Sequence, residues 1–304
     1  MTSTPTVLVA GATGTLGSKI VHELLRRGAA VRALVRQSNP DGAERLTAAA
    51  DNAAFSVVTG DLGDELDVLA GKLRGVDVVV SAVQGGSQVV VDGQVNLLRA
   101  AEASGVSRMI PSDFSVDLRK LDYGDNVNLD HRKRMSEAFQ TSSVLRTSVL
   151  NGGFIEIMLS PFMGIVDLDK GTFSYWGDGE QPMDFTTIDD AAAYTAAAVL
   201  DDSVAGADIS VAGDVLTMTQ FRAEIEQATG RSLAVRQLGT TAELEAEITR
   251  SKAGAKSVYE YVPLQYQWTM VTGKAKLTNL DNHRYPDITP TTVGEFLTRS
   301  AEAR

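Results

Sequence analysis

TVLVAGATGTLG, residues 6–17, decides the fold. Its first five residues form an apolar, β-branched run, the composition of a buried strand. Gly11, Gly14 and Gly17 follow at once, and residues 17–27 (GSKIVHELLRR) then carry Ile20, Val21, Leu24 and Leu25 at helical spacing. A strand that turns through three glycines into a helix has a specific use. The first glycine makes the tight turn, the second lets the backbone approach a pyrophosphate, and the third lets helix and strand pack. Amides of Thr15 and Leu16 at the helix start then lack intrahelical acceptors and face the anion, with Thr13 in the loop beside them. The expectation is a dinucleotide held by Gly11, Thr13, Gly14, Thr15, Leu16 and Gly17.

The pattern repeats outward from this stretch. Strands are predicted over residues 30–36, 55–59, 76–83, 107–111 and 144–149. Helices are predicted over 43–50, 91–103 and around 131–140. Near-continuous apolar strands alternating with helices imply a parallel sheet covered on both faces. The fold class is therefore α/β, a Rossmann-type doubly wound sheet, with a smaller C-terminal α+β substrate domain. The expected boundaries are 1–153 for the nucleotide domain and 154–304 for the second region, with residues 185–215 returning to the first. In that second region residues 173–185 (FSYWGDGEQPMDF) read as a loop or hairpin. Helices are expected over 189–200, 219–229, 241–251 and 291–299, and strands over 209–212 and 233–238.

The carboxyl ends of the strands supply the rest of the expected site, because ligands of open α/β sheets lie across them. The second strand ends in Arg36 with no acid before Asp41, and Ser38 follows. An arginine there accommodates a 2′-phosphate, so NADP(H) is expected rather than NAD. Asp61 and Leu62 follow the third strand and face the adenine end. Ala82, Val83 and Gln84 follow the fourth and pass under the ribose and nicotinamide.

Composition narrows the function classes. The net charge of -11 disfavours nucleic acid and anionic membranes. With no cysteine and three scattered histidines, His22, His131 and His283, a thiolate nucleophile is ruled out and no metal site is expected. No signal-peptide pattern or membrane-length apolar run is present, so a soluble, cytoplasmic monomer or homodimer acting on a small molecule is expected.

GATGTLG, then VRALVR at 31–36, GDL at 60–62, Pro111-Ser112-Asp113-Phe114 and Asn151-Gly152-Gly153-Phe154 together resemble the NmrA-like atypical short-chain dehydrogenases. That group includes the isoflavone-reductase-like and aromatic alcohol reductases. The resemblance runs over residues 5–215. It implies a cleft-bound NADP(H), with Ser112 and Asn151 near the nicotinamide and Phe114, Phe154, Tyr175 and Trp176 near the substrate; core packing explains each aromatic equally well taken singly.

Two departures bear on chemistry. None of Tyr123, Tyr175, Tyr194, Tyr259, Tyr261, Tyr266 or Tyr285 has a lysine four residues on, so the acid pair of ordinary short-chain dehydrogenases is absent. The resemblance implies a lysine near the start of the helix before the sixth strand. That stretch reads Asn128-Leu129-Asp130-His131-Arg132-Lys133-Arg134-Met135, which puts Arg132 in the lysine's place and Lys133 one residue off. These two are the candidate catalytic residues, against the alternative of a solvated basic helix face. Arginine orients a carbonyl but is a poor proton donor. Two functions remain open: an NADPH-dependent reductase of a carbonyl or conjugated bond in an aromatic or apolar molecule, and a non-catalytic NADP(H) sensor.

Overall fold

A computed structural model describes residues 4–302. The chain divides into two compact units. The first comprises the chain up to Phe114, His131–Val149 and Ala191–Ile209; the second comprises Ser115–Asp130, Leu150–Asp190 and the chain from Ser210 onward.

The first unit is built on a parallel sheet. β1 (Thr6–Ala10) is followed by α1 (Thr15–Arg26), β2 (Ala30–Val35), α2 (Pro40–Ala50) and β3 (Phe55–Thr59). Then come α3 (Leu66–Lys72), β4 (Val78–Ser81), α4 (Gln94–Ala103), β5 (Arg108–Ile110), α5 (Val127–Ala138, which belongs to this unit from His131 onward) and β6 (Leu145–Arg146). The strand order is β3-β2-β1-β4-β5-β6, every neighbour parallel. The order reverses between β1 and β4, the switch point that opens a crevice at the carboxyl edge. Ile20, Val21, Leu24 and Leu25 of α1 are all buried, as their spacing predicts. Leu8, Leu34, Leu69, Leu97, Met109 and Met135 form one packed core.

Several boundaries move, each for a local reason. α1 begins at Thr15 rather than 17, because the Ser18 amide already bonds the Gly14 carbonyl at 2.9 Å. α5 begins four residues before 131. Asn126 caps it, its Oδ1 accepting from the Asn128 and Leu129 amides at 3.0 and 3.2 Å. The helix expected over 91–103 starts as a π-helical turn, Gln88–Gly93, and only then becomes α4. The expected sixth strand divides: Leu145–Arg146 joins the sheet, and Ser148–Leu150 is a separate strand.

The second unit corrects the reading of residues 173–185. They are not a hairpin: Thr172–Trp176 and Met183–Thr186 are strands of different sheets. The first pairs parallel with Ala234–Gly239; the second pairs parallel with Gly153–Phe154 and antiparallel with Asp214–Leu216. Turn residues between two strands signal a change of direction, but the partner is chosen by distant segments. The core here stacks Phe185 on Phe221, ring centroids 4.8 Å apart, with Phe173 edge-on to Phe221. The helix Val262–Val271 has no periodic apolar stripe and was not expected; it places apolar residues on several sides, with fully buried Gln265 bonding the Val127 amide and the Gly124 carbonyl.

Candidate functional site

The glycine loop has the geometry that its spacing predicts. Gly11 has φ +78°, and a Cβ there would sit 2.6 Å from the Ala82 carbonyl oxygen. A Cβ on Gly17 would sit 2.1 Å from the Gly11 carbonyl oxygen. Only hydrogens fit at these two positions, so β1, α1 and the β4 loop meet backbone to backbone. The Gly14 amide closes the turn onto the Gly11 carbonyl at 3.0 Å. Thr13, Gly14 and Thr15 are exposed, Leu16 is half-buried and Gly17 is buried. The result is an open concavity at the positive end of a twelve-residue helix.

Arg36 and Ser38 are exposed just beyond the carboxyl end of β2. The Asn39 amide bonds the Arg36 carbonyl at 2.9 Å, so the arginine stands in a defined turn. Asn39 itself was missed by sequence reasoning. Its Oδ1 caps α2 through the Gly42 amide at 3.1 Å, and its Nδ2 donates to Thr13 Oγ1 at 3.2 Å. That second bond ties the glycine loop to the Arg36 turn. An Asn just before a proline signals the cap, but no local pattern signals the cross-link.

Asp61 and Leu62 have local duties. The Asp61 carboxylate accepts from the Gly63 amide at 2.9 Å and shapes its own turn. Leu62 is buried in the core, while its carbonyl accepts from Asn96 Nδ2 at 2.8 Å.

The inner part of the site is a chain of hydrogen bonds. Ala82 continues the sheet, its amide bonding the Ala10 carbonyl at 2.9 Å; Val83 is half-buried and Gln84 exposed. Ser112 Oγ donates to the Val83 carbonyl at 2.8 Å and accepts from Arg132 Nη1 at 3.3 Å. The Ser112 amide donates to Oε1 of fully buried Gln94 at 2.9 Å, and Gln94 Nε2 donates to the Val90 carbonyl at 2.7 Å. The structure thus joins Val83, Ser112 and Arg132 and adds Gln94, for which the sequence holds no signal. Gln94 anchors the π-helical turn, an uncommon geometry often found at functional sites. Lys133 is half-buried, about 100° further round α5. Phe114 is buried at 5% exposure, so its ring packs.

In the second unit, Asn151 is fully buried. Its amide donates to the Ser115 carbonyl at 2.8 Å, and its carbonyl accepts from Thr186 Oγ1 at 2.7 Å. Its side-chain Oδ1 has no hydrogen-bond partner among the described residues. A buried acceptor left unfilled is costly unless a ligand donates to it. Phe154 is half-buried. Tyr175 covers Gly179, where a Cβ would lie 2.9 Å from the ring, and packs 6.0 Å from Phe173. Trp176 keeps its Nε1 buried and without a partner among the described residues. Among the described residues no acidic or histidine cluster suits a metal, and no helix is long and apolar enough to cross a membrane.

Sheet order, glycine loop and carboxyl-edge polar chain together define a Rossmann-type nucleotide-binding class. The NmrA-like family matches residues 3–297, and the chain belongs to that family. It is 23% identical to an isoflavone reductase of Pisum sativum, the alignment covering 96% of this chain and 97% of the relative. It is 27% identical to pinoresinol reductase 1 of Arabidopsis thaliana over 75% of each chain. Among solved structures, the binary complex of leucoanthocyanidin reductase with NADPH from Vitis vinifera superimposes with a TM-score of 0.82. Sequence identity is 21%, over 97% of this chain and 98% of that one.

Proposed function

We propose that this protein is an NADPH-dependent reductase acting on a carbonyl or conjugated bond of a small aromatic or apolar molecule. The reading is supported by its relatives, which are named for reduction of isoflavones and pinoresinol. The observation that carries it is the bond of Arg132 to Ser112, which in turn holds the Val83 carbonyl at the carboxyl edge of the sheet.

The residues present fit the cofactor. Gly11 and Gly17 keep open the cradle that any Cβ would fill. The first amides of α1 would hold the pyrophosphate, and Arg36 with Ser38 the 2′-phosphate. Bound NADPH supplies the hydride. The protein supplies orientation and electrostatics. Arg132 offers the donors of its guanidinium to the carbonyl oxygen as negative charge develops there. A water molecule or hydroxyl delivers the proton. In the second unit Asn151, with its unfilled Oδ1, is the candidate for accepting from the ligand's amide, and Phe154, Tyr175 and Trp176 are the candidate substrate contacts.

Titration with NADPH and NADH, followed by nicotinamide fluorescence, tests the cofactor. The wild type should bind NADPH more tightly. Arg36→Ala should weaken NADPH about ten- to a hundredfold, the worth of a charge-assisted phosphate contact, and leave NADH unchanged. Equal binding of both cofactors by the wild type would refute the NADP assignment. Turnover is tested by NADPH consumption with a panel of aromatic carbonyls and enones. Arg132→Ala should lower kcat about a hundredfold, as expected for loss of one oxyanion donor, with NADPH affinity changed far less. The arginine in place of the implied lysine favours the sensor as a second reading. Tight NADPH binding without consumption on any member of the panel would select it.

A further inference from the structure

Asp113 is fully buried, directly after Ser112. Its amide bonds back to the Pro111 carbonyl at 2.8 Å, a tight turn that fixes the directions of the two side chains. Ser112 Oγ meets Arg132, and Asp113 Oδ2 accepts from Ser136 Oγ at 3.1 Å. Arg132 and Ser136 are four residues apart on α5, so they lie one above the other on the same helix face. Successive residues of one turn therefore grip successive turns of one helix.

The same carboxylate oxygen takes further donors. Asp113 Oδ2 also accepts from Ser148 Oγ at 2.6 Å and pairs with Arg146 Nη1 at 3.3 Å. Arg146 is itself held by Asp208 at 2.6 Å through its other nitrogen and by Ser136 Oγ at 3.0 Å. Arg132 adds a favourable charge interaction with Asp113. Of these donors Ser136 lies on α5, so the carboxylate ties that helix to the turn. Burying the carboxylate is expensive, and apolar residues would fill the same space at less cost.

We propose that Asp113, acting through Ser136, is a positioning residue that sets where α5 presents Arg132 beside Ser112 and Val83. The proposal rests on the functional reading above and extends it to residues that touch neither cofactor nor substrate. Its consequence is selective. Loss of the grip should disturb the nicotinamide end while the phosphate loop, held by Gly11 and Gly17, stays intact.

The test compares two ligands that share the adenosine half: NADPH and 2′,5′-ADP. Ser136→Ala and Asp113→Asn should each lower kcat about five- to tenfold, part of the loss in Arg132→Ala, and move the nicotinamide fluorescence toward that of Arg132→Ala, with NADPH affinity changed no more than in that variant. Affinity for 2′,5′-ADP should stay within about twofold of wild type. Ser136→Thr, which keeps the hydroxyl, should restore the wild-type spectrum. If Asp113→Asn fails to fold, Ser136→Ala still decides. An unchanged spectrum in Ser136→Ala alongside a changed one in Arg132→Ala would overturn the positioning role and leave the reductase reading standing. Equal weakening of both ligands would also overturn it, since that marks a general structural effect. Absence of NADPH binding by the wild type would overturn the functional reading and this inference together.

Discussion

Gly17→Ala is expected to abolish measurable NADPH binding and to lower the melting temperature by about 5–10 °C. The added Cβ would lie 2.1 Å from the Gly11 carbonyl oxygen and 2.8 Å from its carbon. Both atoms are backbone, so no rotamer change relieves the clash. Either α1 slides away from β1 or the Gly11 turn opens. Overpacking of this kind costs about 1–3 kcal/mol, and a clash with backbone belongs at the upper end. The phosphate site suffers more than the fold, because its geometry is the distance between that turn and the helix start. A loss of at least about a hundredfold in affinity corresponds to roughly 3 kcal/mol. Gly14→Ala is the internal comparison. Its Cβ meets only the Gly11 carbonyl oxygen at 3.3 Å, so both effects should be much smaller. Thermal denaturation and NADPH titration of the two variants suffice. Wild-type binding by Gly17→Ala would mean that this loop does not carry the phosphates.

The second large effect is expected at Arg146. Arg146→Ala leaves Asp113 buried without its strongest cation, and removing one partner of a buried pair costs about 3–5 kcal/mol. The pH dependence identifies the cause. Burial pushes the Asp113 carboxyl above its ordinary range; bonds from Ser148 and Ser136 and the charges of Arg146 and Arg132 pull the other way. An acid whose value is raised by folding contributes stability that is fully present below its unfolded value, about 3.9, and lost as pH rises through the folded value. Removing Arg146 raises the folded value further. The destabilisation should therefore be modest near pH 4 and grow as pH rises toward 8. Urea denaturation of wild type and variant across that range measures it. In the double variant Asp113→Asn, Arg146→Ala the growth with pH should disappear. A destabilisation that is flat with pH would show that Arg146 acts through packing or Asp208 instead.

Much of the first unit was legible because its signals are local. Residues 6–17 announce a strand, a turn and a helix through composition alone; Gly17 has its steric reason in Gly11, six residues back, while Gly11 adds to its own positive φ a distant one in Ala82. β2 and β3 read as continuous apolar runs because both faces of a parallel sheet are covered. Arg36 stands where the sequence puts it, as the first residue beyond β2. α3 was not. Its seven residues are too short to show a period, and only Leu69 is buried.

The site divides along the same line. Arg132 could be picked out by resemblance, but not its bond to Ser112, twenty residues away. Gln94 reads as an ordinary helix residue. Its role depends on the π-helical turn and on β5, which the sequence around it does not encode. Asp113 reads as part of a motif, with nothing to say that it is buried or that Ser136, Arg146 and Ser148 surround it. In the second unit, Thr172–Trp176 and Met183–Thr186 are separated by turn residues yet belong to different sheets. Pairing there is chosen by segments as distant as Ala234–Gly239.

The sequence by itself determined the parallel α/β fold, the glycine cradle and the charge at the end of β2. Backbone sterics and apolar periodicity act over a few residues, and they leave their mark in the order of residue types. Only the tertiary structure decided which polar groups meet: Ser112 with Arg132, Asp113 with Ser136 and Arg146, Asn39 with Thr13. Those pairings span tens of residues, and the hydrogen bonds that make them exist only after the core has fixed the helices and loops in place.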